Sequence, residues 1–514
     1  MSLFYRIVYV LFVFLIVFPL VYTLGAALFS DGSLNDHLTL LDKDTFVLLA
    51  KSCLIALSIA LLSTIFGTVL GFLLYKTNVR LRNFFKIAIL IPLFISPYIL
   101  AVAWKDFFYL FFNNTGFISS YLGVILVLTS IFTPLSMIII GSALSNINAQ
   151  LEETGFVITN FHKVIFKITL PLIKPALMSS FVLVFIFSIS EFSVPAFFGV
   201  KVFTTEIFTQ FSAFYNHSLA ILQSALLIFI CIFLLFVERK HIANAPFLSV
   251  SAKGTSNKLY RLKNLKIVSQ VFLFSWFSIS VILPFVILFI QSFKNGIGKF
   301  IQAFELLIPT FGNSIGLAFF AALIIVIIGF VASFPIWNNT ETKMGKSFTW
   351  ILLIVFAVPS TIFGISLIKF YNHPMLDFIY SSYAIILIGY IGKFSFISAK
   401  LIGNAIKQIP ASLDEAAQIE GITFFKRQRK ILIPLIMPTL FVAFIISFIF
   451  SFGELGTTIM LYPPGTEIMP IKVFTIMANA PQSLTSSMTL IVFSVTLLII
   501  SSLYFIMKPF IIKL

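Results

Sequence analysis

The chain runs to 514 residues, of which 60% are hydrophobic and only 10% charged, with a mean hydropathy of +1.09. A soluble domain carries about a quarter charged residues, so this composition excludes one and points to an integral membrane protein. The formal charge of +16 then reads as a basic membrane face set against anionic lipid, which leaves a nucleic-acid partner little to explain.

Arg6 leads into an apolar run at 7–28 that ends in Gly25-Ala26-Ala27 and so resembles a secretory signal. Its removal would leave eleven spans and break the internal repeat, so the run is expected to stay as the first helix. Further runs long enough to cross a hydrocarbon core of about 30 Å lie near 46–75, 87–104, 117–144, 177–198 and 219–237. The second half repeats them near 267–291, 312–337, 348–371, 378–399, 435–460 and 484–507, which makes twelve spans, six in each half. Cys53 and Cys231 both fall in apolar segments and suggest neither a disulfide framework nor a metal site.

The halves are two copies of one unit. An offset of 262 pairs Ser52 with Ser314, Gly67 with Gly329, Pro97 with Pro359, Gly141 with Gly403 and Leu151 with Leu413. After a one-residue slip, an offset of 263 pairs Pro171 with Pro434, Pro175 with Pro438, Ser188 with Ser451 and Glu191 with Glu454. So many unrelated landmarks in one register define an internal repeat. Because each copy has an even number of spans, both are expected to point the same way, with a pathway at their interface. The expected architecture is all-α and polytopic: about twelve transmembrane helices in two parallel six-helix repeats, at 1–237 and 267–514. They are joined by a polar linker at 238–266.

Orientation is set by Lys and Arg. With the N-terminus in the cytoplasm, inner loops and termini hold 25 of the 34 basic residues and outer loops six, and the C-terminus is cytoplasmic as well.

Two polar islands then face the cytoplasm. In the second, Leu413, Ala416, Ala417 and Glu420 recur at helical spacing, and Asp414-Glu415 sits where a helix N-terminus favours negative charge. Gly421 supplies a turn, and a basic segment with Lys426, Arg427, Arg429 and Lys430 runs on to Pro434. The first island holds Glu152 and Glu153 and runs to Pro171. Each island ends in the same pattern, Leu170 to Pro175 and Ile433 to Pro438, which a merely solvated loop does not explain. A small-residue helix, a turn and a basic helix form a protruding knob that another protein can approach closely.

The second island, with Asp414-Glu415-Ala416-Ala417, Gly421 and Ile433-Pro434, resembles the cytoplasmic EAA loop of the binding-protein-dependent ABC importer permeases. The two-copy pattern is similar to the fused permeases of ferric-iron importers. The resemblance implies that the chain lies in a bacterial inner membrane and that both loops dock two ATP-binding subunits. It also implies that an extracytoplasmic binding protein delivers the solute. ATP and Mg would be bound by the partner subunit, so no cofactor and no enzymatic activity are expected in this chain. Gly345-Lys346-Ser347 mimics a phosphate-binding loop, but Thr340 stands where its first glycine belongs. The first island departs from the family pattern, with Thr154-Gly155 in place of the alanines and Ile158 or Thr159 in place of Gly421.

Within the spans, Glu191 and its mate Glu454, with Ser188 and Ser451 a turn earlier, are the candidate translocation-path residues, because an ionisable group in a span is costly and usually faces a cavity or a partner. A structural role, tying down a helix end, is the competing expectation. The stretch from Val194 to Gly199 and from Phe203 to Phe208 resembles ferric-iron permeases and favours iron over thiamine, phosphonate, polyamine or sulfate. No metal-ligand spacing appears in the spans. A secondary transporter would share twelve spans and two halves but would not need two docking knobs.

Overall fold

The computed structural model describes residues 3–29, 42–237, 259–260, 262, 265–337 and 343–512; most of the expected linker at 238–266 lies outside the described residues. The described residues are helical, with one isolated β-bridge.

Among the described residues, nine helices are long and apolar enough to span a membrane, and three bent pairs raise the number to twelve. In chain order they are α1 (Leu3–Gly25), α2 (Lys43–Lys76), α3 (Arg82–Phe94 with Pro97–Phe112), α4 (Tyr121–Ser145), α5 (Ile165–Leu172 with Lys174–Ser190) and α6 (His217–Val237). The second copy contributes α7 (Lys266–Phe293), α8 (Gly298–Ile336), α9 (Met344–Ala357 with Ser360–Tyr371), α10 (Tyr383–Ile406), α11 (Gln428–Gly453) and α12 (Gln482–Ser502). Each expected span has its helix. The third span of each copy departs from a straight rod, bending by 96° in α3 and by 106° in α9. The bends fall at Pro97 and Pro359, the repeat mates, where a missing N–H and the ring's steric demand end one helix and open the next.

Proline explains a second regularity. Four wide turns with π geometry occur at Val13–Val17, Ile165–Thr169, Ser278–Ile282 and Gln428–Leu432. Each stops two residues before a proline: Pro19, Pro171, Pro284 and Pro434. A proline within a helix cannot donate to the carbonyl four residues back, and one widened turn absorbs the clash; the rod stays continuous at Pro19, Pro284 and Pro434, whereas α5 bends by 59° between Leu172 and Lys174, just after Pro171.

The chain forms two compact units. One comprises Met1–Asp31, Phe304–Asn479 and Ile491–Leu514, the other Gly32–Ala303 and Ala480–Leu490. Thus α1 belongs with second-copy helices and α7 with first-copy helices. In the first unit, Phe348 of α9 takes the rings of Tyr5, Tyr9 and Phe12 at 6.0, 5.3 and 5.6 Å, and the Tyr371 hydroxyl donates to the Leu15 carbonyl at 2.9 Å. In the second, Trp276 of α7 lies 4.8 Å from Phe66, Phe274 lies 5.0 Å from Phe85, and the Ser487 hydroxyl donates to the Ser292 carbonyl at 3.3 Å.

Within each unit the central pair of helices meets at a glycine. A Cβ on Gly67 would overlap the Ser136 Cβ, and one on Gly329 would overlap the Ser398 hydroxyl. Ser136 and Ser398 are themselves repeat mates at an offset of 262, so one close crossing is built twice. Small residues at such crossings let backbones approach where lipid provides no hydrophobic drive. Gly67→Val and Gly329→Val are each expected to cost about 1–3 kcal/mol by overpacking, whereas Gly316→Ala, with nothing within 4 Å of the added carbon, should be near neutral. Thermal unfolding of the purified protein in detergent checks this ranking.

Candidate functional site

The two polar islands fold as the same device with different fastenings. The first opens with a helix, Ala149–Ile158, capped by Asn148, whose side chain accepts from the Gln150 N–H at 3.0 Å. Glu152, one turn in, is 2% exposed and accepts from the Lys76 ammonium at 2.7 Å and from the Thr169 hydroxyl at 2.9 Å. The second opens with Ala411–Ile419. Asp414, the repeat mate of Glu152, is 5% exposed and accepts from Arg427 at 3.2 Å and from Gln418 at 2.6 Å. The leading carboxylate of each loop is therefore turned inward and paired with a cation. That cation comes from within the loop in the second copy. In the first it comes from the end of α2, because Val164 stands where Arg427 would align.

The next acids in sequence, Glu153 and Glu415, are exposed, as is Ala416, while Ala417 is buried against the loop. Gly155 takes the place of Ala417. A Cβ there would meet the Ile168 side chain at 2.6 Å and Val164 at 3.2 Å, so the first loop packs its two segments more tightly than an alanine permits. Gly421 has φ +68°, and the turn closes with the Ile422 N–H on the Ala417 carbonyl at 3.0 Å. The first loop ends instead with Thr159 in an extended conformation, which any residue adopts, so its missing glycine reflects a different turn. Apolar side chains crown both knobs: Val157 and Ile158 are 87% and 80% exposed, Ile419 is 86% exposed, and Leu151 and Leu413 are also exposed. Pro171 and Pro434 come just after the π turns, Pro171 in the short helix Leu170–Leu172 before the α5 bend and Pro434 in the first turn of Ile433–Gly453.

The intramembrane carboxylates also form a repeated pair. The Glu191 side chain accepts from the Ser193 N–H at 2.7 Å, from the Ser193 hydroxyl and from the Val194 N–H at 3.3 Å. It thereby satisfies the start of the short helix Ser193–Phe198. Glu454 does the same for Thr458–Leu461, accepting from the Thr457 N–H at 3.0 Å and the Thr457 hydroxyl at 2.9 Å. In both copies the fifth span stops and a glutamate accepts from backbone N–H groups at the start of the short helix after the break, those of Ser193 and Val194 in the first copy and that of the preceding Thr457 in the second. The Ser188 and Ser451 hydroxyls are buried with no hydrogen-bond partner among the described residues.

Three charged groups escape a reading of the site from sequence. Lys76 is legible as a basic loop residue but not as the partner of Glu152, 76 positions away. Asp106 in α3 is buried and accepts from Gln482 and Ser486, both at 2.5 Å. Lys393 in α10 is buried and donates to the Phe356 and Val358 carbonyls at 3.2 and 2.5 Å, satisfying the acceptors that the α9 bend frees. An ionisable residue inside an apolar span is the available signal for the last two. Among the described residues no group of three or more His, Cys, Asp or Glu side chains could hold a metal.

A duplicated set of twelve spans, with one knob per copy on the same connection and a capped break after each fifth helix, defines a membrane transport permease. The chain belongs to the family described as binding-protein-dependent transport system inner membrane component, whose model matches residues 63–243 and again 257–513. The Fe(3+)-transport system permease protein FbpB 2 of Haemophilus influenzae is 24% identical over 83% of this chain and 83% of its own. The ferric transport system permease protein FbpB of Actinobacillus pleuropneumoniae is 25% identical over 88% of this chain and 71% of its own. Among solved structures, a bacterial ABC transporter involved in the import of the acidic polysaccharide alginate is similar at a TM-score of 0.42 and 20% identity, over 48% of this chain and 95% of that one.

Removing one member of a buried ion pair leaves the other uncompensated, which costs about 3–5 kcal/mol. Glu152→Ala should accordingly lower the unfolding temperature far more than Glu153→Ala, whose side chain is exposed. Differential scanning fluorimetry on the two variants, side by side, measures the gap.

Proposed function

We propose that this chain is the membrane-embedded subunit of an ATP-driven importer for ferric iron, supplied by an extracytoplasmic binding protein. The observation that carries this reading is the pair of cytoplasmic knobs, each presenting exposed apolar residues beside an exposed glutamate, in a chain whose iron-permease relatives align over most of both lengths. Val157 and Ile158 in the first knob, and Leu413, Glu415 and Ile419 in the second, are the surface that two ATP-binding subunits would cover, at residues 145–170 and 405–433. ATP and Mg belong to those subunits. Both termini lie in the cytoplasm, a reading supported by the distribution of Lys and Arg. On this reading Glu152 and Asp414 hold the knobs in shape, while Glu153 and Glu415 meet the partner.

The path runs past the breaks after α5 and α11, where Ser188 and Ser451 keep unused hydroxyls and Glu191 and Glu454 bring acidic side chains near the route of a cation. With one Glu191 oxygen and both Glu454 oxygens already engaged by backbone and hydroxyl donors, these carboxylates suit a transient relay better than tight binding.

Native mass spectrometry of the purified complex should find one permease chain with two ATP-binding subunits; a stable assembly of two permease chains would sink the proposal. Glu415→Lys should abolish uptake while leaving the protein inserted, since it reverses a charge at a contact that desolvates on docking. Radiolabelled iron uptake in cells lacking other iron importers tests the substrate, and uptake that ignores iron but tracks thiamine or a phosphonate rejects it. Glu191→Gln with Glu454→Gln retains a hydrogen-bond acceptor for each cap but removes the charge. Iron uptake is expected to fall with thermal stability held, and full uptake would assign both residues to capping alone.

A further inference from the structure

The described part of the linker is fastened against the first knob. Tyr260 donates its backbone N–H to the Lys76 carbonyl at 2.7 Å, and its carbonyl accepts from the Asn78 N–H at 3.2 Å, forming a parallel bridge with Thr77. Two residues on, the Leu262 N–H donates to the Asn78 side chain at 3.2 Å, and the Leu262 side chain joins a buried cluster with Leu73, Val79 and Phe85. Between these ties the Tyr260 ring enters an aromatic box. It lies 6.1 Å from Phe72 of α2, 5.2 Å from Phe156 in the knob's first helix and 5.8 Å from Phe161 in its second segment.

The residue that accepts the Tyr260 N–H is Lys76, whose side chain holds Glu152. One backbone position therefore ties the linker, the end of α2 and the knob's buried carboxylate together. Burial and the neighbouring Glu152 carboxylate hold the Tyr260 phenol above its ordinary range, so it stays a neutral, packed ring.

The second knob needs no such strap, because Arg427 from its own basic segment pairs with Asp414. The first knob has Val164 there and draws its cation from α2, which leaves its two segments fastened from outside. We infer that Tyr260 and Leu262 of the linker form a built-in clamp on the α2 end that supplies this cation, and that Tyr260 is a positioning residue holding the first docking loop in register. The transport consequence rests on the importer reading above; the clamp itself does not. Removing the ring opens the box, admits water to the Lys76–Glu152 pair and loosens the knob, so that motion at the first ATP-binding subunit reaches α4 and α5 less completely.

Two measurements separate the clamp from its role in transport. Limited trypsin cleavage of the full chain in lipid nanodiscs, without partners, reads the first knob at Lys163 and Lys167 and the second at Lys426, Arg429 and Lys430, all exposed. Tyr260→Ala should raise cleavage in the first knob about tenfold, the size expected for losing several aromatic contacts, and leave the second unchanged. Tyr260→Phe should behave as wild type, and Asn78→Ala, which removes a tie but not the ring, should shift cleavage in the same direction. Equal cleavage of the first knob in wild type and Tyr260→Ala overturns the clamp. In the reconstituted complex with its ATP-binding subunits, Tyr260→Ala should raise the ATP hydrolysed per solute imported; an unchanged ratio beside a loosened knob overturns the positioning role. A wild-type complex without ATP hydrolysis would reject the importer reading and leave the cleavage result to decide the clamp.

Discussion

In a hydrocarbon solvent every backbone N–H and C=O must find a partner within the protein, and this structure is organised by how it meets that demand wherever the chain stops being a plain α-helix. The departures are few and each has its own remedy. Four prolines are met by wide turns, which keep the rod continuous at Pro19, Pro284 and Pro434, while α5 still bends by 59° just after Pro171. Two sharper bends in α3 and α9 break the ladder outright, and in α9 the freed carbonyls of Phe356 and Val358 are taken by the Lys393 ammonium. The two breaks after the fifth spans expose N–H groups, and there a glutamate is used. A cation on stranded carbonyls and a carboxylate on stranded N–H groups are the same solution with opposite sign, each placed where the partial charge of the helix end favours it.

The duplication shows which features the fold holds fixed and which it lets drift. The glycine crossings and the proline bends recur at an offset of 262 and the glutamate caps at 263, because each is tied to backbone geometry that admits few residues. The knobs keep the buried leading carboxylate and the exposed acid beside it, yet change the cation, the turn and the small residue. A buried carboxylate needs a cation but is indifferent to which chain segment provides it, so Arg427 can be replaced by Lys76 from elsewhere. That exchange converts a self-contained knob into one fastened to α2 and to the linker, and makes the two copies unequal.

Much of this is legible in the sequence. Twelve apolar runs, the repeat register and the paired islands emerge from composition and spacing, and each run has its helix. The bends are half legible: Pro97 and Pro359 align in the repeat, but a proline in a span can kink, bend or merely loosen the ladder, and neighbouring helices decide which. The assignment of α1 and α7 to compact units dominated by the other copy has no local signal, since a lipid-facing apolar helix reads the same whatever it packs on. The inward turn of Glu152 and Asp414 is hidden for a related reason. An acidic pair at a helix start looks the same whether its first member faces a partner or a buried cation, and Lys76 is too distant in sequence to suggest the second.

The repeated glutamates show where chemistry and architecture pull against each other. A carboxylate taking two or three hydrogen bonds from the start of a helix meets backbone dipoles in place of water, which lets an acidic group sit at this depth. The same bonds engage one oxygen of Glu191 and both oxygens of Glu454, so each charge acts through its field more than through open lone pairs. Tight coordination of a ligand by either carboxylate would have to break the caps and strand the N–H groups of Ser193 and Val194 in the first copy and of Thr457 in the second. The cost of that rupture weighs against tight binding at either carboxylate, so at these two positions the architecture limits the chemistry.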